Sequence, residues 1–332
     1  MTTKLLLGLT TAIGLATASF AQDDPLTIVY IGKNTGNPYF DSITGGFEDA
    51  CATLGCEFLF VAPATAEATS QIPFIEAQIQ RGVEVIAIAP NSPDALNQVL
   101  RKAQDAGILV LTVNGDITGS EEYRDAAILP TDFDIVGRDQ VELVGSLIGY
   151  EGQIAILSAT TEAPDQNKWI VGMNDTLAND PKYANMELVA TVYGDDQPEK
   201  STTEMEALLA NHPDLRGVIA PTTVGIAAAA QVVQSRGIAD RVQVTGLGLP
   251  SEMRDFIKDG TVEAFQLWSP YNQGWLVAHF VDGLTNGTIE NEVGATFEVP
   301  NLGTITINEN NSINTQSTLT TFNIDNIDDF DF

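Results

Sequence analysis

The sequence predicts an α/β chain of two doubly wound parallel-sheet lobes, on three observations. Short apolar runs alternate with stretches of helical length and spacing from residue 26 onward. Runs such as Val85-Ile86-Ala87-Ile88-Ala89 are apolar throughout, as expected for strands covered on both faces of a parallel sheet. The rhythm restarts after Gly152, and 332 residues suit two lobes, at ~100–150 residues per domain.

The elements follow in order. Strands are expected over 26–31, 57–61, 84–89 and 108–113, and helices over 39–54, 69–80 and 93–106. Gly55, Gly82 and Gly107 stop the three helices. Strand and helix alternating at this spacing imply right-handed crossovers. The second series has strands over 153–158, 186–192, 217–220, 242–246 and 262–267, with helices such as 201–210 and 224–235 between them. Strand-like stretches follow Gly303, and Asp325, Asp328, Asp329 and Asp331 crowd the end of the sequence.

The first residues read as an export signal. Lys4 precedes an apolar run from Leu5 to Ala18, and Ser19-Phe20-Ala21 places small residues where a signal peptidase needs them. A signal peptide over 1–21, cleaved after Ala21, is expected, with the mature protein soluble in the periplasm and without stable membrane insertion. No later run approaches the ~20 apolar residues of a membrane span. The formal net charge of −30 opposes binding to nucleic acid and anionic lipid. Cys51 and Cys56 are the only cysteines. Export permits a disulfide between them, and two buried thiols fit the sequence equally well. His212 and His279 stand far from them and from each other, so no zinc site is expected.

In open parallel sheets, ligands sit beyond the carboxyl ends of the strands. The segments there contain Lys33, Tyr39 and Phe40; Asn91; Asn114 and Asp116; Asp165, Gln166 and Trp169; Pro221, Thr222 and Thr223; and Trp268 and Ser269. Together they offer amides, carboxylates, hydroxyls, a lysine and aromatic rings. Sugar hydroxyls both donate and accept hydrogen bonds, and sugar C–H faces lie well on rings. Ionised partners strengthen such bonds. Asn91 and Asp165 also fit as helix caps, and Tyr39, Phe40 and Trp169 as core. The recurrence across both halves favours a shared polar site.

Several stretches carry a resemblance: Lys33 with Gly36-Asn37-Pro38-Tyr39-Phe40, Val110 to Asp116, Asp165-Gln166-Asn167-Lys168-Trp169, Ala220-Pro221-Thr222-Thr223 and Phe265-Gln266-Leu267-Trp268. With them the chain resembles the type I periplasmic sugar-binding proteins of ABC importers, in the branch of rhamnose-binding and autoinducer-2-binding proteins. The resemblance implies ligand contacts at Lys33, Asp165, Gln166 and Pro221. Autoinducer-2 binders carry Asp where this chain has Asn114, and Ala where it has Thr223; Asp116, two residues on, is a candidate to compensate. Pro221-Thr222-Thr223-Val224-Gly225 is nearer the rhamnose type, so a deoxyhexose or pentose is the expected ligand and autoinducer-2 the alternative.

The resemblance further implies a three-segment hinge. Crossings are expected near residues 115–120, 268–270 and 290–296, giving one lobe of 23–114 plus 269–289 and another of 119–267 plus 291–332. Ligand would close the cleft between them. A monomer that delivers its sugar to an ABC transporter permease is expected, with no cofactor and no catalysis. The sequence has no GxSxG elbow and no phosphate-cradling loop. A sugar-responsive repressor would need a basic DNA-binding segment where the export signal stands. A sensory receptor would use the same clamp as an importer component.

Overall fold

The computed structural model describes residues 25–332; the expected signal peptide and its cleavage site lie outside them. The first lobe begins β1 (Thr27–Ile31), α1 (Pro38–Leu54), β2 (Glu57–Val61), α2 (Ile72–Arg81), β3 (Val85–Ile88), α3 (Asn97–Asp105), β4 (Leu109–Val113) and β5 (Ala126–Leu129). The second runs α4 (Phe133–Ile148), β6 (Gly152–Ser158), α5 (Pro164–Asn179), β7 (Met186–Tyr193), α6 (Pro198–Asn211), β8 (Leu215–Ala220), α7 (Thr223–Arg236), β9 (Gln243–Gly246), α8 (Pro250–Lys258) and β10 (Ala264–Leu267). The chain ends with α9 (Pro270–Thr285), β11 (Thr296–Val299), β12 (Gly303–Thr306), β13 (Ser312–Asn314) and β14 (Thr320–Asn323).

The first sheet has strand order β13-β5-β4-β3-β1-β2, parallel throughout. Its continuous apolar runs have the expected cause. Ile28, Tyr30, Val85 and Ala87 pack with α1 residues Ile43 and Phe47 on one face, while Val29, Ile31, Ile86 and Ile88 pack with Ile75, Val99 and Leu100 on the other. The second sheet is the parallel set β7-β6-β8-β9. A parallel bridge between Leu247 and Gln266 brings β10 alongside it, and β14 pairs antiparallel with β10.

The expected lobe boundaries need correction at two crossings. A strand belongs to the sheet that satisfies its backbone groups. β5 pairs with β4, so the chain leaves the first lobe after Leu129, not near 115–120. β13 pairs with β5, so the last crossing lies between Asn314 and β14, not near 290–296. Residues 119–129 and 291–314 therefore belong to the first lobe. Between β10 and α9 the chain passes through residues 268–269. The three crossings are laced together. Thr315 donates from its N–H to Leu129 O at 2.9 Å and from Oγ1 to Pro130 O at 2.7 Å. The Ser269 N–H donates to Gln316 Oε1 at 3.3 Å.

Helix α1 is set by its ends and by glycine. The Asn37 side chain accepts from the Tyr39 N–H at 3.1 Å, Pro38 occupies the first turn, and Gly55 closes the helix in the left-handed region. Helix α9 lies directly on α1. A Cβ at Gly46 would meet Tyr271 O at 2.0 Å, and one at Gly274 would meet Ile43 O at 2.1 Å, so both positions require glycine for this approach. A Cys51–Cys56 disulfide ties the end of α1 to the start of β2 and settles the two readings of that pair.

Candidate functional site

The carboxyl ends of both sheets face one cavity. The first lobe contributes Lys33, Asn37, Tyr39, Phe40 and Asn114. The second contributes Asp165, Gln166, Trp169, Asp196, Pro221, Thr222, Thr223, Leu247, Leu267 and Trp268.

An ion pair joins the two walls. Lys33 Nζ lies 2.7 Å from both Asp165 Oδ1 and Oδ2, with both side chains almost wholly buried. Asp165 sits in the first turn of α5 behind Pro164, where unpaired helix N–H groups favour negative charge. The Asn114 amide also donates to Asp165 Oδ2 at 3.3 Å. Removing one partner of such a pair strands a buried charge.

Tyr39 organises the first-lobe wall. Its hydroxyl accepts from Trp268 Nε1 at 2.7 Å and from Gln273 Nε2 at 2.9 Å, and donates to Asn114 Oδ1. Burial pushes its pKa well above the ordinary tyrosine value, against the lowering effect of those two donors, so it stays a donor. Asn114 itself has φ 69°, a left-handed conformation that asparagine accepts readily, and its N–H reaches Ile128 O at 3.0 Å. Across the cavity Thr223 Oγ1 donates to Asn37 Oδ1 at 3.3 Å.

On the second wall Gln166 Oε1 accepts from the Ala159 N–H at 3.3 Å and from Ser158 Oγ at 3.4 Å. Trp169 meets Phe133 edge to face, ring centres 5.3 Å apart, and tilts against Trp268 at 5.6 Å. The buried Trp169 Nε1 has no acceptor among the described residues. Asp196 Oδ1 accepts from Thr222 Oγ1 at 2.5 Å. Burial raises the Asp196 pKa, while the Thr222 bond and the nearby Lys33 charge oppose that rise.

Eleven of the expected site residues line this cavity; Asn91, Asp116 and Ser269 do not. Asn91 stands behind it, donating from Nδ2 to Lys33 O at 2.9 Å and to Ser70 Oγ at 3.2 Å, so it supports the backbone that presents Lys33. Asp116 turns into the first lobe, where Arg124 Nε and Nη2 reach it at 2.7 and 2.6 Å and Thr112 Oγ1 at 2.8 Å. It therefore cannot supply the carboxylate that Asn114 lacks. Ser269 is the residue before α9 and borders an outer groove between the lobes. Sequence reasoning missed Asn37, Asp196, Leu247 and Leu267. Asp196 obeys the strand-end rule, since it follows β7, and reading that turn would have found it. Asn37 was legible as a cap, which it is, but its oxygen also meets the opposite lobe.

The matches to known proteins fit this geometry. Residues 28–289 match the family described as periplasmic binding protein domain. The D-ribose/D-allose-binding protein of Pseudomonas aeruginosa is 27% identical over 247 residues, 71% of this chain and 75% of that protein. An ABC transporter solute-binding protein from Clostridium phytofermentas, solved with bound L-rhamnose, is 33% identical. The match covers 92% of this chain and 98% of that one, with a TM-score of 0.87. LsrB from Clostridium saccharobutylicum in complex with AI-2 shares the fold at 23% identity and a TM-score of 0.86, covering 92% of this chain and all of that one (100%). By fold, family match and the cavity between its lobes, the chain belongs to the periplasmic binding protein family, among the two-lobed solute-binding proteins of sugar ABC transporters, whose work is capture and not catalysis.

Proposed function

We propose that the protein captures a monosaccharide, a rhamnose-like deoxyhexose or a pentose, by closing its lobes over it, and presents the closed form to an ABC transporter permease. One observation carries this reading: the buried Lys33–Asp165 pair bridges the walls of a cavity edged by amides, hydroxyls and the rings of Tyr39, Phe40, Trp169 and Trp268. Lys33, Asn114, Asp165, Gln166, Thr222 and Thr223 supply donors and acceptors to hydroxyls, and the rings cover the C–H faces. The likeness to the L-rhamnose-bound protein supports the deoxyhexose. Asn114, with Asp116 committed to Arg124, argues against the AI-2 ligand of LsrB. Export to the periplasm as a monomer, with cleavage after Ala21, completes the proposal; mass spectrometry of the exported form should place Gln22 first.

A thermal-shift screen of monosaccharides and AI-2 tests the ligand. Ligand at 100 times its Kd stabilises by about 2.7 kcal/mol, so the correct sugar raises Tm clearly. Asp165→Ala should abolish that shift. A panel in which no monosaccharide moves Tm would overturn the reading, and AI-2 giving the largest shift would replace it.

A further inference from the structure

Asp196 reaches the cavity in a way no other lining residue does. β7 ends at Tyr193, and the chain then turns through Gly194, Asp195 and Asp196 before α6. Asp195 and Asp196 are both left-handed, with φ of 54° and 52°. Two consecutive non-glycine residues in that region are strained, and such strain collects at functional positions. The side chain carries a second cost. Asp196 is 6% exposed, and Thr222 is its one hydrogen-bond donor among the described residues. Lys33, the cation of the cavity, is held by both oxygens of Asp165. Asp195, its neighbour, turns outward to Lys200 at 2.5 Å. Strained backbone and a desolvated carboxylate therefore meet at one residue, and that residue lines the cavity.

Resting on the sugar reading above, we propose that Asp196 determines specificity: it accepts hydrogen bonds from ligand hydroxyls and excludes sugars that carry a carboxylate or phosphate. A hydroxyl donates to the carboxylate oxygen that Thr222 leaves open. An anionic group at the same place would face a like charge in a desolvated site, with the ammonium of Lys33 already engaged by Asp165.

Calorimetry tests this with neutral monosaccharides, L-rhamnose first, and their matching uronic and aldonic acids, at neutral pH. The wild-type protein should bind its neutral sugar at least ~100-fold more tightly than the matching acid, since like-charge juxtaposition is strongly unfavourable. Asp196→Asn keeps the shape, tolerates the left-handed backbone and still accepts from Thr222. It should lose ~10–100-fold for the neutral sugar, the worth of a hydrogen bond to a charged group, while the acid loses less or gains. The preference for the neutral sugar then collapses. A variant that keeps both its affinity and its preference overturns the inference while the sugar reading stands. So does a wild-type protein that binds an acid as tightly as its neutral partner, a result that needs no variant to fold. Wild-type protein that binds neither class overturns the sugar reading, and the inference falls with it.

Discussion

The two walls of the cavity are built on different terms. On the first-lobe wall the groups that face the cavity are linked to one another: Trp268 reaches across and Gln273 comes from α9 to donate to Tyr39, Tyr39 donates to Asn114, and Asn91 holds the Lys33 carbonyl, while the orphaned oxygens there, Asn91 Oδ1 and Gln273 Oε1, belong to residues outside the cavity lining. On the second-lobe wall, groups are left with capacity to spare: Trp169 Nε1 has no acceptor among the described residues, and Asp196 meets only Thr222. A satisfied network fixes the position of its members, whereas an unsatisfied one is costly without a partner. On the sugar-binding reading proposed above, the first wall would work as a template and the second as the side that reads the ligand.

That contrast can be broken by experiment, and the largest effect belongs to the template. Tyr39→Phe removes one hydroxyl and leaves the Trp268 and Gln273 donors and Asn114 Oδ1 without it. With three buried groups stranded at ~1–3 kcal/mol each, the variant should lose at least ~3 kcal/mol of stability in urea denaturation. An unaltered midpoint would show that the wall is not fixed by this network. Next comes the seating of that wall. Gly46→Ala forces α1 and α9 apart, because the new methyl would lie 2.0 Å from Tyr271 O. A loss of ~1–3 kcal/mol is expected for overpacking of this kind, with weakened ligand binding, since α9 carries Gln273.

The smallest effect has the opposite sign. The folded-state pKa of Asp196 lies above the ordinary value of 3.8. The folded state therefore holds that proton more tightly than the unfolded chain does. Its burial costs stability at pH above the raised value, and the cost disappears as pH falls below 3.8. Asp196→Asn should accordingly raise stability at neutral pH. The gain should fade in melts taken at progressively lower pH. A gain that persists unchanged at acid pH would separate it from the carboxylate.

The same contrast explains what could be read from residue order. β1, β3 and β4 were legible because burial on both faces leaves largely apolar runs such as Val85 to Ala89, while β2 and β7, only partly buried, still stood out as apolar stretches between helices. β5, Ala126-Ala127-Ile128-Leu129, was not, since a turn with only a three-residue helix, Glu121–Tyr123, separates it from β4 and breaks the strand–helix alternation. β13, Ser312-Ile313-Asn314, buries one of its three residues and has no apolar run at all. Both lobe boundaries that needed correction follow from those two strands. In the site, strand-end position found Lys33, Asp165 and Trp169 but also offered Asp116. Which way that carboxylate turns depends on Arg124, eight residues further along, and on Asn310 O, which the same guanidinium reaches at 2.7 Å. No local pattern encodes that partnership. Asp196 was hidden by its turn, where acidic residues ordinarily mean only solvent.

The laced crossings at Pro130, Ser269 and Thr315 set the permitted motion. For the closure proposed above, three tethers side by side, stitched by backbone and side-chain bonds, would let the halves swing about one line while resisting twisting or sliding apart. A protease that severed any single tether would leave two intact, and the halves would still open and shut as one molecule.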